Sequence, residues 1–256
     1  MSEPILQPSA FVKYNYEDPK RLFEGYTDLL LCFDDRQFEE LVKSLPIRAR
    51  ISNVMLVKDC PAIIAGRFGI GAPAAVAQCE ELIACGIRRI LAVGTAATIS
   101  KDFHVGDVII CEKAYSDEGT SRHYFPGRKT FWATPGLVHD VQTCLEEKGL
   151  RCQRAAAWTT DAPYRETPER RDAFKAKGAG VVEMEASALY MLAAYRKIPV
   201  LTVLVVGDSI AGEKWEPHFK NPKIHDSLDQ TGHALLAFLK QSEVEKQTVQ
   251  KGSPRI

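Results

Sequence analysis

Two acidic stretches and one glycine-rich turn carry the chemistry this sequence offers. In VVEMEASALY, Glu183 and Glu185 flank Met184 where an apolar strand runs into a helical pattern. Carboxylates at a helix start are favoured by the macrodipole and are at home in solvent. Their neighbours Val181, Val182, Met184 and Ala186 are apolar, which sets at least one carboxylate near the core. A buried acid needs polar partners, and sugar hydroxyls are such partners. A third acid, Asp208, follows the most apolar run of the chain in VLVVGDSIAG. An aspartate at the carboxyl end of a central strand stands where α/β folds bind ligands, and it is equally able to cap the next segment.

The turn is GRFGIGAPAA, in which residues 69–74 fit G-x-G-x-x-A between an apolar run and a helical pattern. A dinucleotide site also needs an acidic side chain about 20 residues past the first glycine, at the end of the next strand. No acid lies between Ile87 and Ile99, so that reading fails at its most informative position. Two readings stay open: backbone N–H groups facing an anion, or glycines that allow close packing of helix on strand.

The elements that must position these residues alternate between short apolar runs and helical patterns, the signature of an α/β fold with a mainly parallel sheet. Strands are expected at 28–33, 54–57, 61–66, 90–94, 107–114, 154–160 and 200–206, the second and third as a hairpin turned at 58–60. Helices are expected over RQFEELVKSL, PAAVAQCEELIACG, GLVHDVQTCLEEKG, PERRDAFKAKG, EMEASALYMLAAYRK and about 227–241. No repeat or Gly/Ser-rich linker divides the chain, so residues 1–256 are read as one domain, with an N-terminal arm to about residue 24 and a disordered tail over 243–256.

Composition narrows the partners. The 33 basic and 33 acidic residues balance, so no overall field draws the protein to nucleic acid or an anionic membrane. Seven cysteines are scattered without a C-x-x-C pair or histidines at zinc spacing, which favours reduced core thiols and no metal. The N-terminus lacks a basic segment followed by an apolar stretch, and no apolar run approaches the ~20 residues of a membrane helix. A soluble, cytoplasmic protein is expected.

Taken in order, FDDR, GIGAP, VGTAA, VGDVII, EGTSRHY, WTTDAPYRET, VVEMEASALY and VVGDS resemble the nucleoside phosphorylase family, which includes purine nucleoside phosphorylase and uridine phosphorylase. The resemblance runs from about Asp28 to Ala211, and EMEASALY is its most specific part. It implies a single three-layer α/β sandwich with a mixed, mainly parallel central sheet. It also implies a homo-oligomer (dimer, trimer or hexamer) that cleaves the N-glycosidic bond of nucleosides. Inorganic phosphate would be co-substrate, with no cofactor.

Carried over by position, the resemblance implies that Glu183, Met184 and Glu185 bind ribose, with Glu185 on the 2′- and 3′-hydroxyls. Asp208 corresponds to the acid that protonates a purine ring nitrogen. Arg36 and Thr95 correspond to phosphate ligands, joined by backbone N–H groups around Gly71, and Arg48 corresponds to an arginine lent across a subunit interface. The base would lie near Trp158, Asp161 and Tyr164, although Trp158 is also suited to the core. Bond cleavage builds oxocarbenium character on the sugar and negative charge on the departing base, which a buried, protonated Asp208 would neutralise.

The chain departs from the family at Ala92, where an arginine usually precedes the phosphate loop, and at Cys32, where a glycine is usual. Arg67 is the candidate to replace the missing charge. Thr167 and Glu169 stand where uridine phosphorylases read uracil, so a purine nucleoside is the expected substrate. A nucleoside hydrolase of the same fold, a uridine phosphorylase and a non-enzymatic nucleoside-binding relative are the alternatives.

Overall fold

The computed structural model describes residues 3–251, with side chains described through residue 241. The N-terminal arm carries α1 (Pro8–Asn15) and a single turn, α2 (Pro19–Leu22). Every residue of β1 (Asp28–Cys32) is buried, as an apolar run covered on both faces requires. Asp34 starts α3 (Asp35–Ser44) by accepting a hydrogen bond from the Gln37 amide at 2.7 Å. An antiparallel meander follows, of β2 (Ile47–Ile51), β3 (Val54–Val57) and β4 (Ala62–Ala65). The hairpin between β3 and β4 is the expected one. The strand β2, whose arginines alternate with half-buried residues, has no counterpart among the expected strands.

The helix after the glycine turn, α4 (Ala72–Cys85), has Gly71 as its N-cap and Pro73 in its first turn, where a missing N–H costs no hydrogen bond. Next come β5 (Arg89–Thr98), β6 (Val108–Asp117), α5 (Ser121–Tyr124), β7 (Thr130–Trp132), α6 (Pro135–Glu147) and β8 (Cys152–Thr160). The chain continues through α7 (Pro168–Ala176), β9 (Ala179–Glu183), α8 (Ala186–Arg196), β10 (Val200–Ser209), β11 (Glu216–Pro217) and α9 (Pro222–Lys251). The acidic pair therefore straddles the β9–α8 junction rather than opening the helix. The last helix continues beyond residue 241 into the stretch expected as a tail, and 252–256 lie outside the described residues.

One sheet runs in the order β11-β10-β6-β8-β9-β5-β1-β4-β3-β2, and β10 also pairs with β5. That extra pairing closes β5, β10, β6, β8 and β9 into a ring, from which β1, β4, β3 and β2 extend as an open wing. The parallel pairs are β1–β4, β1–β5, β5–β10, β6–β8 and β8–β9, whereas β6–β10 and β5–β9 close the ring antiparallel. The sheet is thus mixed. Helices α1, α4, α5 and α8 pack together on one side, and α3, α6 and α9 on the other, which completes three layers. Five of the seven cysteines, Cys32, Cys79, Cys85, Cys111 and Cys144, are buried.

Candidate active site

Strand β5 has β10 along one edge for its full length, but its other edge changes partner. β1 covers that edge from Arg89 to Val93, and β9 covers it at Ala97 and Thr98. Gly94, Thr95 and Ala96 lie in the gap where β1 has left and β9 has not yet arrived. Such a divergence at the carboxyl ends of parallel strands is where open α/β sheets form a crevice. Burial marks the same spot: from Ile90 to Ser100 only Thr95 retains partial exposure, and from Ala179 to Ala193 only Met184 does. Extending the antiparallel register Thr98↔Val181 and Ala97↔Val182 by two residues sets Met184 opposite Thr95.

Glycine shapes both walls of this gap. A Cβ on Gly94 would lie 2.9 Å from the Phe33 side chain, so Phe33 can rest on β5 only because residue 94 has none. Phe33 meets Phe68 edge to face at 5.8 Å, so two rings stand beside the glycine turn. In that turn Gly69 and Gly71 have φ of +99° and +90°, a region that side chains oppose. The conformation turns the Gly71 amide inward, where it donates to Glu185 Oε1 at 2.6 Å. The turn therefore holds a carboxylate of its own chain.

Glu183 and Glu185 are both buried, with different roles. Glu183 accepts from the Glu185 amide at 2.8 Å, from the Ala186 amide at 2.6 Å and from the Thr159 hydroxyl. It satisfies the free N–H groups at the start of α8 and is a structural cap rather than an open acceptor. Burial pushes both glutamates up, and Glu185 rises to about 8 because burial is joined by the charge of Glu183, against the Gly71 amide. Behind them lies Glu118, which accepts from Ser116 at 2.8 Å, Ser187 at 3.1 Å and the Ser121 amide at 3.0 Å. For Glu118 burial is outweighed by these hydrogen bonds, and its carboxyl lies below the usual range.

Asp208 ends β10 beyond a bulge between Val206 and Asp208 and is 9% exposed. Its Oδ2 accepts from the Trp215 indole N–H at 2.7 Å. Burial raises its pKa, opposed by the Trp215 bond and by His218. Glu166, on the segment before α7, is pushed up to about 7 by burial and then by the charge of Asp208, with Arg170 opposing. Helix α7, which follows the Glu166 segment, is tied to the loop bearing Trp215 by Arg171, whose Nη1 donates to the carbonyls of Ile210 and Gly212. Phe219 covers Gly207, beside Thr95: a Cβ on Gly207 would lie 3.3 Å from the Phe219 ring and 3.4 Å from Thr95 Cβ.

The remaining expected residues fare differently. Arg36 forms a two-pronged pair with Asp229 of α9, at 3.1 and 3.0 Å, while its Nε–H is buried without a partner. Arg67 is paired with Glu39 instead of standing free for an anion. Within its own chain Arg48 stands at the amino-terminal end of β1, where the β2–β3–β4 register sets it beside Tyr26 and Pro61, away from the crevice. Trp158 is fully buried, stacked on Phe174 at 4.7 Å, and donates to Asp117, so it is a core residue. Tyr164 is 99% exposed. Asp161 accepts from the Gly119 amide at 2.7 Å and bridges two loops. The Gly71 amide, expected to face phosphate, donates to Glu185 in this structure.

Sequence reading missed Glu166, Trp215, Phe33 and Phe219. Trp215 and Phe219 left a signal in GEKWEPHF: large aromatics, 58% and 46% exposed, in a polar loop. Among the described residues, no group of three or more His, Cys, Asp or Glu is arranged to hold a metal ion. No helix among them is long and apolar enough to cross a membrane.

A ringed, three-layer α/β sheet with carboxyl groups gathered at the ends of β9 and β10 defines a class of strand-end ligand sites. Comparison with known proteins makes the class specific. Residues 30–240 match the phosphorylase superfamily, and the chain belongs to that family. It is 36% identical over 147 residues to a purine nucleoside phosphorylase DeoD-type of Bacillus cereus, covering 56% of this chain and 61% of that one. The same figures hold for a purine nucleoside phosphorylase DeoD-type of Bacillus thuringiensis (strain Al Hakam). These matches thus span about three-fifths of the relatives' length. The fold is similar to a purine nucleoside phosphorylase from Toxoplasma gondii, solved in complex with immucillin-H. The TM-score is 0.77 at 19% identity, over 87% of this chain and 94% of that one.

Proposed function

We propose that this protein cleaves the N-glycosidic bond of a purine nucleoside with inorganic phosphate, releasing free base and ribose 1-phosphate. The observation that carries this reading is Glu185, a buried carboxyl held by the Gly71 amide at the end of β9, on the same crevice as the desolvated acid Asp208. Glu185 is the acceptor for ribose hydroxyls, with Met184 beneath the sugar. As the bond to the base lengthens, the sugar gains positive charge and the base negative charge. Asp208, whose pKa burial raises, is the general acid of this reading: it gives its proton to a purine ring nitrogen and becomes a carboxylate.

Phosphate is the nucleophile in this reading, bound by the Thr95 hydroxyl and by Arg36. The buried, unpartnered Nε–H of Arg36 supports that role, since an incoming phosphate oxygen is the acceptor it lacks. Purine specificity is supported by Asp208, by Thr167 and Glu169 in place of a uracil-reading pair, and by the names of the relatives. We also infer a cytoplasmic homo-oligomer in which Arg48, remote from the crevice of its own chain, serves a neighbouring one; light scattering that gave a monomer would remove that role.

The deciding measurement is product identity. Incubation of the protein with inosine or guanosine, with and without phosphate, is expected to yield ribose 1-phosphate and free base only when phosphate is present. Free ribose, formed at a rate indifferent to phosphate, would replace phosphorolysis by hydrolysis.

A further inference from the structure

The segment between β10 and α9 is fixed at both ends over the crevice. β11 pairs antiparallel with the end of β10, Asp208 opposite Pro217 and Ser209 opposite Glu216. Arg171 holds the start of the segment through the Ile210 and Gly212 carbonyls. Trp215 stands one residue before β11, its ring 6.4 Å from that of Phe219, and its N–H meets Asp208 Oδ2 at 2.7 Å.

We propose that Trp215 is a positioning residue for Asp208: its indole N–H occupies one carboxyl oxygen, so the proton that Asp208 delivers sits on the other, facing the base. This inference rests on the reading of Asp208 as the general acid. The carbonyl oxygen of a carboxylic acid is a better acceptor than its hydroxyl oxygen, so an N–H donor on Oδ2 favours Oδ1 as the proton carrier. In the reaction that proton passes from Oδ1 to the ring nitrogen while the electrons of the glycosidic bond move onto the base, leaving Asp208 as a carboxylate. The Trp215 bond then becomes charge-assisted and strengthens, so it favours the transition state over bound substrate. Among the described residues, the groups that act on or sense Asp208 are Trp215, Glu166 from the segment before α7, and His218 just after β11.

The test is Trp215→Phe, which keeps a ring and removes the donor. With inosine, kcat is expected to fall roughly tenfold, as losing a hydrogen bond to a charged group does, while KM changes little. The alkaline limb of kcat is expected to move to higher pH, because the N–H that favours the carboxylate is gone. With 7-methylinosine, whose base leaves without an added proton, the loss is expected to be much smaller. Equal losses on both substrates, or a gain of activity from an unblocked acid, would overturn the proposal.

A second measurement does not depend on turnover. In the intact protein labelled with 15N at the indoles, the Trp215 resonance is assigned by its absence in Trp215→Phe and followed against pH. It is expected to titrate with Asp208 and to lose that transition in Asp208→Asn. A resonance indifferent to Asp208→Asn overturns the pairing, whereas a protein that cleaves no purine nucleoside yet shows the titration overturns only the activity on which the proposal was built.

Discussion

The Gly71 amide donates to Glu185 Oε1 at 2.6 Å, joining two residues that are 114 positions apart in the chain. This bond explains why the glycine turn resembles an anion site without holding a dinucleotide. A turn of backbone N–H groups made by φ near +90° is a concavity for negative charge, and here a carboxyl group fills it. The first helix after the turn and the strand–helix junction at residues 183–186 are thereby locked together, which fixes the floor of the crevice.

Glu185→Gln separates the roles of this group. The amide oxygen still accepts from Gly71, so the fold is expected to survive while nucleoside cleavage is lost. In the wild type the folded-state pKa is raised to about 8 by burial and then by Glu183, so the native protein binds this proton more tightly than the unfolded chain. Its contribution to stability is full below the unfolded value near 4.5 and is lost as pH rises towards about 8. Thermal melts should therefore show Glu185→Gln equal to or below wild type at pH 5 and more stable at pH 9, by roughly 1–3 kcal/mol. A difference that did not change with pH would remove the buried carboxyl as its cause.

Asp208→Asn is expected to lower kcat for purine nucleosides by on the order of 10²-fold or more, the usual loss for a general acid. It also acts on a neighbour. Glu166 is raised to about 7 by burial and by the charge of Asp208, so removing that charge should bring the Glu166 midpoint down. Carboxyl 13C resonances followed against pH report this directly. An unmoved Glu166 would mean that the two acids do not sense each other.

The residues that sequence reading located and those it missed differ in kind. β1, β3, β4 and β10 were legible because strands buried on both faces read as unbroken apolar runs. Glu185 and Asp208 were legible because an acid among apolar neighbours is itself a signal. Partners were not: Arg36 finds Asp229 and Arg67 finds Glu39, and nothing local to either arginine announces its partner. The same limit hid the division of labour between Glu183 and Glu185. Both are acids beside Met184, and only the path of the β9–α8 junction makes one a helix cap and leaves the other at the crevice. The gap in β5 was hidden because it depends on where two other strands diverge.

The Arg36–Asp229 pair makes the phosphate reading testable from both sides. If Arg36 serves phosphate, its alanine variant should raise KM for phosphate roughly tenfold to a hundredfold, the equivalent of ~1.5–3 kcal/mol. Asp229→Asn should do the opposite, because it releases a guanidinium that is held at 3.0 Å. The pair is about one-third exposed on each side, so its own contribution to folding is small and melts of Asp229→Asn should stay close to wild type. Initial rates against phosphate at fixed inosine measure both effects. Two variants that shift KM in the same direction would confine Arg36 to anchoring α9.

Trp158 and Tyr164, two aromatics of one motif, should behave in opposite ways. Trp158 is fully buried, stacked on Phe174 with rings 7° from parallel, and donates to Asp117 at 2.9 Å. Asp117 is also paired with Arg170 of α7, so the ring joins β8 to the helix that follows the Glu166 segment. Trp158→Ala would open a large cavity and leave Asp117 short of a donor, at an expected ~3–5 kcal/mol. Trp158→Phe keeps the stack, and its smaller loss should come chiefly from the missing N–H. Because the ring lies beneath the site rather than in it, KM for nucleoside should hardly change in Trp158→Phe. Tyr164→Ala should alter stability by less than about 0.5 kcal/mol, as exposed positions do. Denaturant titrations give the first comparison and steady-state kinetics the second. A rise in KM for Trp158→Phe at unchanged stability would return that ring to the base.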